Sequence, residues 1–168
     1  AIDALLASHG VKTSAQASVL HAASMACPSL PTCGLGLAES ERALPGLINR
    51  IEKLAAEIGV ANEEIIIRST GCPNGCARPY MAEIGFVGKA PGKYQLWLGG
   101  DVTGARLNQV YKEVIKEAEL EAELRPLLTR WKAERTTGER FGDFATRVLI
   151  PEAIAARATT TPAPAAAN

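Results

Sequence analysis

Apolar residues recur at intervals of three and four through Leu37, Leu44, Leu47, Ile48, Ile51, Leu54, Ala55 and Ile58, with Arg50, Glu52, Lys53 and Glu57 between them. That period predicts an amphipathic helix lying on a core, its charged face in water. Pro45 lies inside the pattern and predicts a kink or a restart near Leu44, and Gly59 ends it. The run Glu64-Ile65-Ile66-Ile67-Arg68 is β-branched and short, which predicts a buried strand. Glu83 to Val87 and Tyr94 to Leu98 predict two more strands. The turn-forming stretch Lys89-Ala90-Pro91-Gly92-Lys93 between them predicts a hairpin. Leu107, Val110, Tyr111, Val114 and Ile115 predict a short helix. Leu120, Leu124, Leu127, Leu128 and Trp131 carry a longer one from about Glu117 to Arg135, with Pro126 marking a kink.

The ends of the chain are patterned more weakly. Ile2, Leu5 and Leu6 share one face of a helix that Gly10 can stop, and residues Thr13 to Met25 read as a polar loop. An apolar helix with no cap before it reads as a start inside a longer chain. Phe141 and Phe144 read as anchors, and Ala155 to Asn168 as a disordered Ala/Thr/Pro tract. The expected architecture is therefore α+β. Helices lie on one face of a small, mostly antiparallel sheet, with the cysteine loops at its end. Residues 1–150 form the folded body and 151–168 a low-complexity tail.

Composition removes several classes of function. Lysine plus arginine and aspartate plus glutamate stand at 18 each in 168 residues, which leaves no electrostatic case for nucleic acid or an acidic membrane surface. No apolar run approaches the ~20 residues of a membrane span. No basic segment leads into an apolar run near the N-terminus, so no signal peptide is expected. A reducing compartment, cytosolic or inside an organelle, suits the cysteine usage.

All 4 cysteines fall in two segments, Met25-Ala26-Cys27-Pro28-Ser29-Leu30-Pro31-Thr32-Cys33-Gly34 and Thr70-Gly71-Cys72-Pro73-Asn74-Gly75-Cys76-Ala77-Arg78-Pro79. Cys27 and Cys72 both precede proline, a recurrent feature of iron–sulfur loops. Gly71 and Gly75 would let backbone N–H groups approach cluster sulfurs. These features favour four thiolates around one iron–sulfur cluster. Structural zinc is the main alternative, although its knuckles commonly use other spacings and histidine, and His21 stands alone. Disulfides or free thiols remain open as well. Asn74 needs no role beyond a Pro-Asn-Gly turn, but its place between Cys72 and Cys76 makes it a candidate cofactor contact. Arg78, Lys89 and Lys93 read as solvated or salt-bridged side chains, and His21, Trp97 and Trp131 as packing or surface residues.

The two cysteine segments resemble the C-terminal half of assimilatory sulfite reductases, in the sirohaem/[4Fe–4S] nitrite/sulfite reductase family. The likeness continues through Ala82 to Gly92, Leu98-Gly99-Gly100 and Gly142-Asp143-Phe144, and covers the chain from about Ala1 to Ile150. It implies that Cys27, Cys33, Cys72 and Cys76 ligate a [4Fe–4S] cluster and that Cys76 also bridges to sirohaem iron. It implies six-electron reduction of sulfite to sulfide in a complete enzyme. Electrons would come from an NADPH-dependent flavoprotein or a ferredoxin. Complete members are several times longer, and the basic residues that hold sulfite and the sirohaem carboxylates come largely from a half with no counterpart here. The expectation is a cluster-bearing C-terminal portion that is inactive alone. Alternatives are a nitrite reductase of the same family, a stand-alone iron–sulfur electron-transfer module, or a zinc-stabilised interaction domain.

Overall fold

The computed structural model describes residues 1–11 and 13–160. Its helices are α1 (Ile2–Ser8), α2 (Val19–Ala23), α3 (Leu44–Ile58), α4 (Leu120–Glu134), α5 (Phe141–Phe144) and α6 (Ile150–Thr160). Its strands are β1 (Met25–Ala26), β2 (Ile67–Thr70), β3 (Ile84–Ala90), β4 (Lys93–Leu98) and β5 (Gln109–Lys116). The strands form one sheet in the order β1-β2-β3-β4-β5. The β1–β2 and β2–β3 pairs are parallel, and the β3–β4 and β4–β5 pairs are antiparallel. The fold is α+β as expected, with a mixed sheet. Parallel neighbours need crossover connections. Helix α3 lies in the first crossover, and the second cysteine loop is itself the second.

Side chains alternate across the strands and divide the sheet into two faces. Ile67, Ile84, Phe86, Leu96, Leu98, Tyr94 and Ile115 join one buried core with Ile48, Ile51 and Leu54 of α3 and Leu124, Leu128 and Trp131 of α4. The other face carries Arg68, Gly85 and Trp97 in register. A 3₁₀ turn at Pro79–Met81 covers it. Gly85 allows this close approach, since a Cβ there would lie 2.5 Å from the Pro79 carbonyl oxygen. Tyr80 then meets Trp97 edge to face at 4.9 Å.

Glu83 ties three parts of the chain together. It is 1% exposed. Its carboxylate accepts the Ile66 N–H at 2.9 Å, the Gly142 N–H at 3.0 Å and the Arg140 guanidinium at 2.9 Å. The β-branched run, the hairpin and the C-terminal helices are thereby held by one buried acceptor. Phe141 and Phe144 are fully buried, as their anchoring role required.

Several expectations are corrected. Residues 107–115 do not form a helix. Gln109–Lys116 is strand β5, because Val110, Tyr111, Val114 and Ile115 suit a pleated edge and the β4 edge offers a ladder. The polar loop from Thr13 to Met25 contains α2 and β1. The Ser18 hydroxyl caps α2 by accepting the His21 N–H, and Leu20 is buried beneath it. Of the kink or restart expected near Leu44, the structure shows a start there and not a kink: Pro45 stands in the first turn of α3, where a missing N–H costs nothing. The first strand begins at Ile67, later than expected, because Glu83 takes the Ile66 N–H. Residues 155–160 of the expected disordered tract continue α6, as alanine propensity allows. The remainder, 161–168, lies outside the described residues.

Removing the Glu83 carboxylate leaves the Ile66 and Gly142 N–H groups without their acceptor and the Arg140 guanidinium with Glu64 alone. Glu83→Ala is expected to lower unfolding free energy by about 3–5 kcal/mol in urea titrations, with Glu83→Gln milder. The Arg147 guanidinium holds the Glu139 carboxyl at about 2, below its ordinary 4.5. A depressed acid contributes stability above its unfolded value and loses it as pH falls through the folded one. Thermal melts should fall between 4.5 and about 2, and Arg147→Gln should flatten that acid limb.

Candidate metal and cofactor centre

The two cysteine segments are neighbours because their strands are. Met25 pairs with Arg68 and Ala26 with Ser69, and the Cys27 N–H continues the ladder to the Ser69 carbonyl at 3.2 Å. Each chain then leaves the sheet into its cysteine loop. The Gly71 N–H points to the Cys27 sulfur at 3.4 Å, linking the loops directly. On its carbonyl side, Gly71 accepts the Leu37 and Ala38 N–H groups at 2.8 and 3.0 Å. A Cβ on Gly71 would fall 1.6 Å from the Ser29 hydroxyl oxygen, and one on Gly88 would fall 2.3 Å from the Gly71 carbonyl oxygen. Neither glycine has room for a side chain, because backbone and the small Ser29 and Ala38 side chains close on this point.

Within the first loop, the Cys33 N–H donates to the Ser29 carbonyl at 2.7 Å, and the buried Ser29 hydroxyl donates to the Ala38 carbonyl at 2.5 Å. In the second, the Gly75 N–H closes a turn on the Cys72 carbonyl at 3.4 Å and the Arg78 N–H another on the Gly75 carbonyl at 2.7 Å. Gly75 and Arg78 both adopt left-handed backbone, with φ of 68° and 53°. Tyr80 donates to the Pro73 carbonyl at 2.8 Å and braces the loop from the sheet side. Burial, and then a charge on Cys72, push the Tyr80 hydroxyl up.

All four cysteines are free thiols. Cys27 and Cys72 are buried, Cys33 is half-buried, and Cys76 and Asn74 are exposed. The structure brings the loop of Cys27 against that of Cys72. Among the described residues, it does not gather three or more His, Cys, Asp or Glu side chains into a group that could hold a metal ion. The donor chemistry nonetheless fits a soft metal centre. Two thiols lie shielded from water, one with a backbone N–H on its sulfur, and two more open ones lie on the same turns.

Arg68, passed over in the sequence, sits immediately below this site. Its guanidinium donates to the Arg78 carbonyl at 3.3 Å, and its Nε is buried without a partner. Burial first, and the nearby Arg78 charge second, lower its ordinary affinity for its proton. The signal available in sequence was its position, a cation at the end of an isoleucine run that leads straight into a cysteine loop. Asn108 also went unnoticed. It is buried, donates to the Pro79 and Ala82 carbonyls at 2.7 and 2.9 Å, and fixes the 3₁₀ turn over the sheet.

No protein-family model matches the chain. Individual proteins do. The chain is 52% identical over 153 residues to the sulfite reductase (NADPH) hemoprotein beta-component of Staphylococcus saprophyticus, covering 91% of this chain and 27% of that protein. It is 53% identical over 151 residues to the protein of the same name from Acidithiobacillus ferrooxidans, covering 89% and 27%. The chain is homologous to one part of the sulfite reductase hemoproteins. It spans about a quarter of the length of these curated relatives. A sulfite reductase (ferredoxin) of Synechococcus elongatus is 53% identical over 148 residues, 88% of this chain and 24% of that one. Among solved structures, the NirA protein of Mycobacterium tuberculosis aligns with a TM-score of 0.74 at 25% identity, over 88% of this chain and 29% of that chain. The homology and the α+β likeness agree with the resemblance carried by the two cysteine segments.

Gly71→Ala should be among the most damaging single changes, because the added methyl collides with buried backbone and Ser29. A loss of roughly 2–4 kcal/mol in chemical denaturation is expected. Gly34→Ala should be close to neutral, since a Cβ there meets nothing within 4 Å.

Proposed function

We propose that this chain is the cluster- and sirohaem-binding portion of an assimilatory sulfite reductase. The observation that carries the reading is 52% identity to a sulfite reductase hemoprotein across 91% of the chain, on a fold that sets two cysteine loops side by side. When bound, a [4Fe–4S] cluster and sirohaem supply stored electrons and a reducing iron for the six-electron conversion of sulfite to sulfide.

The chain's own residues would serve these groups in distinct ways. Cys27, Cys33, Cys72 and Cys76 would be the thiolate donors, with Cys76, the exposed one, shared with the sirohaem iron. Asn74, exposed on the same turn, would contact the macrocycle. The Gly71 N–H on the Cys27 sulfur would stabilise thiolate charge and so tune the potential of what it holds. Burial of Cys27 and Cys72 would keep water from the metal-bound sulfurs. Residues 1–150 would form the cofactor domain, with 151–168 as its tail. An NADPH-dependent flavoprotein or a ferredoxin would donate electrons, in keeping with the names of both kinds of relative. The setting would be the cytoplasm or a plastid stroma. Among the described residues no helix is long and apolar enough to cross a membrane.

A second reading is a nitrite reductase of the same family, with the same cofactors. Sulfite-driven and nitrite-driven oxidation of reduced methyl viologen by the complete protein would separate the two.

Anaerobic reconstitution with iron and sulfide tests the cofactor reading. A brown chain with iron and acid-labile sulfide is expected, and each of Cys27→Ser, Cys33→Ser, Cys72→Ser and Cys76→Ser should lower its iron. A colourless chain that holds one zinc would refute the reading. With sulfite and reduced methyl viologen, the 168-residue chain alone should release no sustained sulfide.

A further inference from the structure

Strand β5 is the last of the sheet, so one of its edges meets β4 and the other meets no strand among the described residues. An unpaired edge is a template for a strand from another chain. This edge is composed to pair, with Val110, Tyr111, Val114 and Ile115 among its 8 residues and Val114 52% exposed. It is also irregular. Leu96 pairs with Lys112 and Trp97 with Val110, so Tyr111 is the extra residue of a bulge. The carbonyls at the bulge are not left to water. The Arg157 guanidinium, from α6, donates to the Val110 carbonyl at 2.8 Å and also to the Tyr111 carbonyl. One cation thus serves two successive acceptors on the open edge.

Helix α6 needs such a contact to stay docked. Its first residue, Ile150, is buried, but every residue from Pro151 to Ala158 is exposed except the half-buried Ala153. Beyond Ile150, therefore, α6 sends no large apolar side chain into the core. At 11 residues it is shorter than the ~12–15 below which an isolated helix is marginal in water. Polar contacts tie it at both ends. Glu152 accepts two bonds from the Arg130 guanidinium of α4, at 2.6 and 3.1 Å, and Arg157 reaches β5.

The charges along β5 indicate which strand the edge would accept. Antiparallel pairing with β5 of a second chain, centred on Tyr111, sets Lys112 against Val110 and Glu113 against Gln109, so no like charges meet. Centring on Lys112 or on Glu113 would set like charges face to face. The permitted centre is the residue whose carbonyl Arg157 occupies.

We propose that Arg157 latches α6 across the open edge of β5 and so closes that edge to strand addition by a second copy of this chain. The edge is shut while α6 is docked and opens when Arg157 lets go. The latch stands on the sheet edge alone and is independent of any cofactor.

Sedimentation velocity and hydrogen–deuterium exchange of the chain under a thiol reductant, with and without Arg157→Ala, test it. Alanine is the best helix former, so this variant does not lose α6 through propensity. The unaltered chain should sediment as a monomer at micromolar concentration. In Arg157→Ala, the amides of α6 should exchange about tenfold faster, the size of one lost charge-assisted hydrogen bond. The same variant should form dimers whose fraction rises with concentration. Adding Val114→Lys should return it to monomer while α6 still exchanges fast, because a charge on the edge opposes strand pairing. An unaltered chain that dimerises as strongly as Arg157→Ala overturns the proposal. So does α6 exchange in Arg157→Ala within about twofold of the unaltered chain, an Arg157→Ala chain that stays monomeric, or a dimer that survives Val114→Lys.

Discussion

The parallel pairing of β1 with β2 is the constraint on which the site depends. Cys33 and Cys72 are far apart in sequence, and nothing local draws their loops together. Two rungs of backbone ladder, Met25 to Arg68 and Ala26 to Ser69, set the register, and the Cys27 N–H extends it to Ser69. Beyond that point both chains leave the sheet at the same end, as parallel pairing requires. The Gly71 N–H then lies on the Cys27 sulfur. So short a strand cannot hold itself. It is fixed because its partner β2 is pinned by β3 and by the core beneath.

Glycine makes the convergence possible, and Glu83 makes it rigid. Gly71 and Gly88 are packed backbone against backbone, and Gly85 admits the Pro79 carbonyl onto the sheet. These absences of side chain leave the second cysteine loop lying on the sheet, where it serves as the β2–β3 crossover. Glu83 works from the other end of that crossover. It accepts from Ile66 just before β2, from Arg140, and from Gly142 at the start of the last helical segment. The helical core on one face and the cysteine loop on the other are therefore coupled through β2 and β3. The π turn at Ala145–Leu149 falls just before Pro151, whose missing N–H interrupts the helical ladder there.

Legibility in the sequence followed the range of the determining interaction. Helix α3, helix α4 and the β3–β4 hairpin are written in their own apolar periods and turn residues, and they formed where the pattern put them. Residues 107–115 misled because Leu107, Val110, Tyr111 and Val114 satisfy a helical spacing as well as a strand composition. The free β4 edge decided between them. Helix α2 went unseen because its single buried residue, Leu20, gives no period, and only the Ser18 cap marks it. The candidate cysteines were legible as chemistry from residue type and spacing. Arg68 was not, because a charged residue ending an apolar run looks like any solvated strand end until its buried Nε and its arginine neighbour are seen.

By itself, the sequence determined the α+β class, the two cysteine-bearing turns and the kinship that they announce, because helix period, turn chemistry and thiol spacing are properties of neighbouring residues. Only the tertiary structure decided which strands run parallel, which sulfurs are buried, and that the Arg68 guanidinium reaches the Arg78 carbonyl. Those facts arise from pairings between segments distant in the chain, selected by the packing of the whole core and not by any stretch alone.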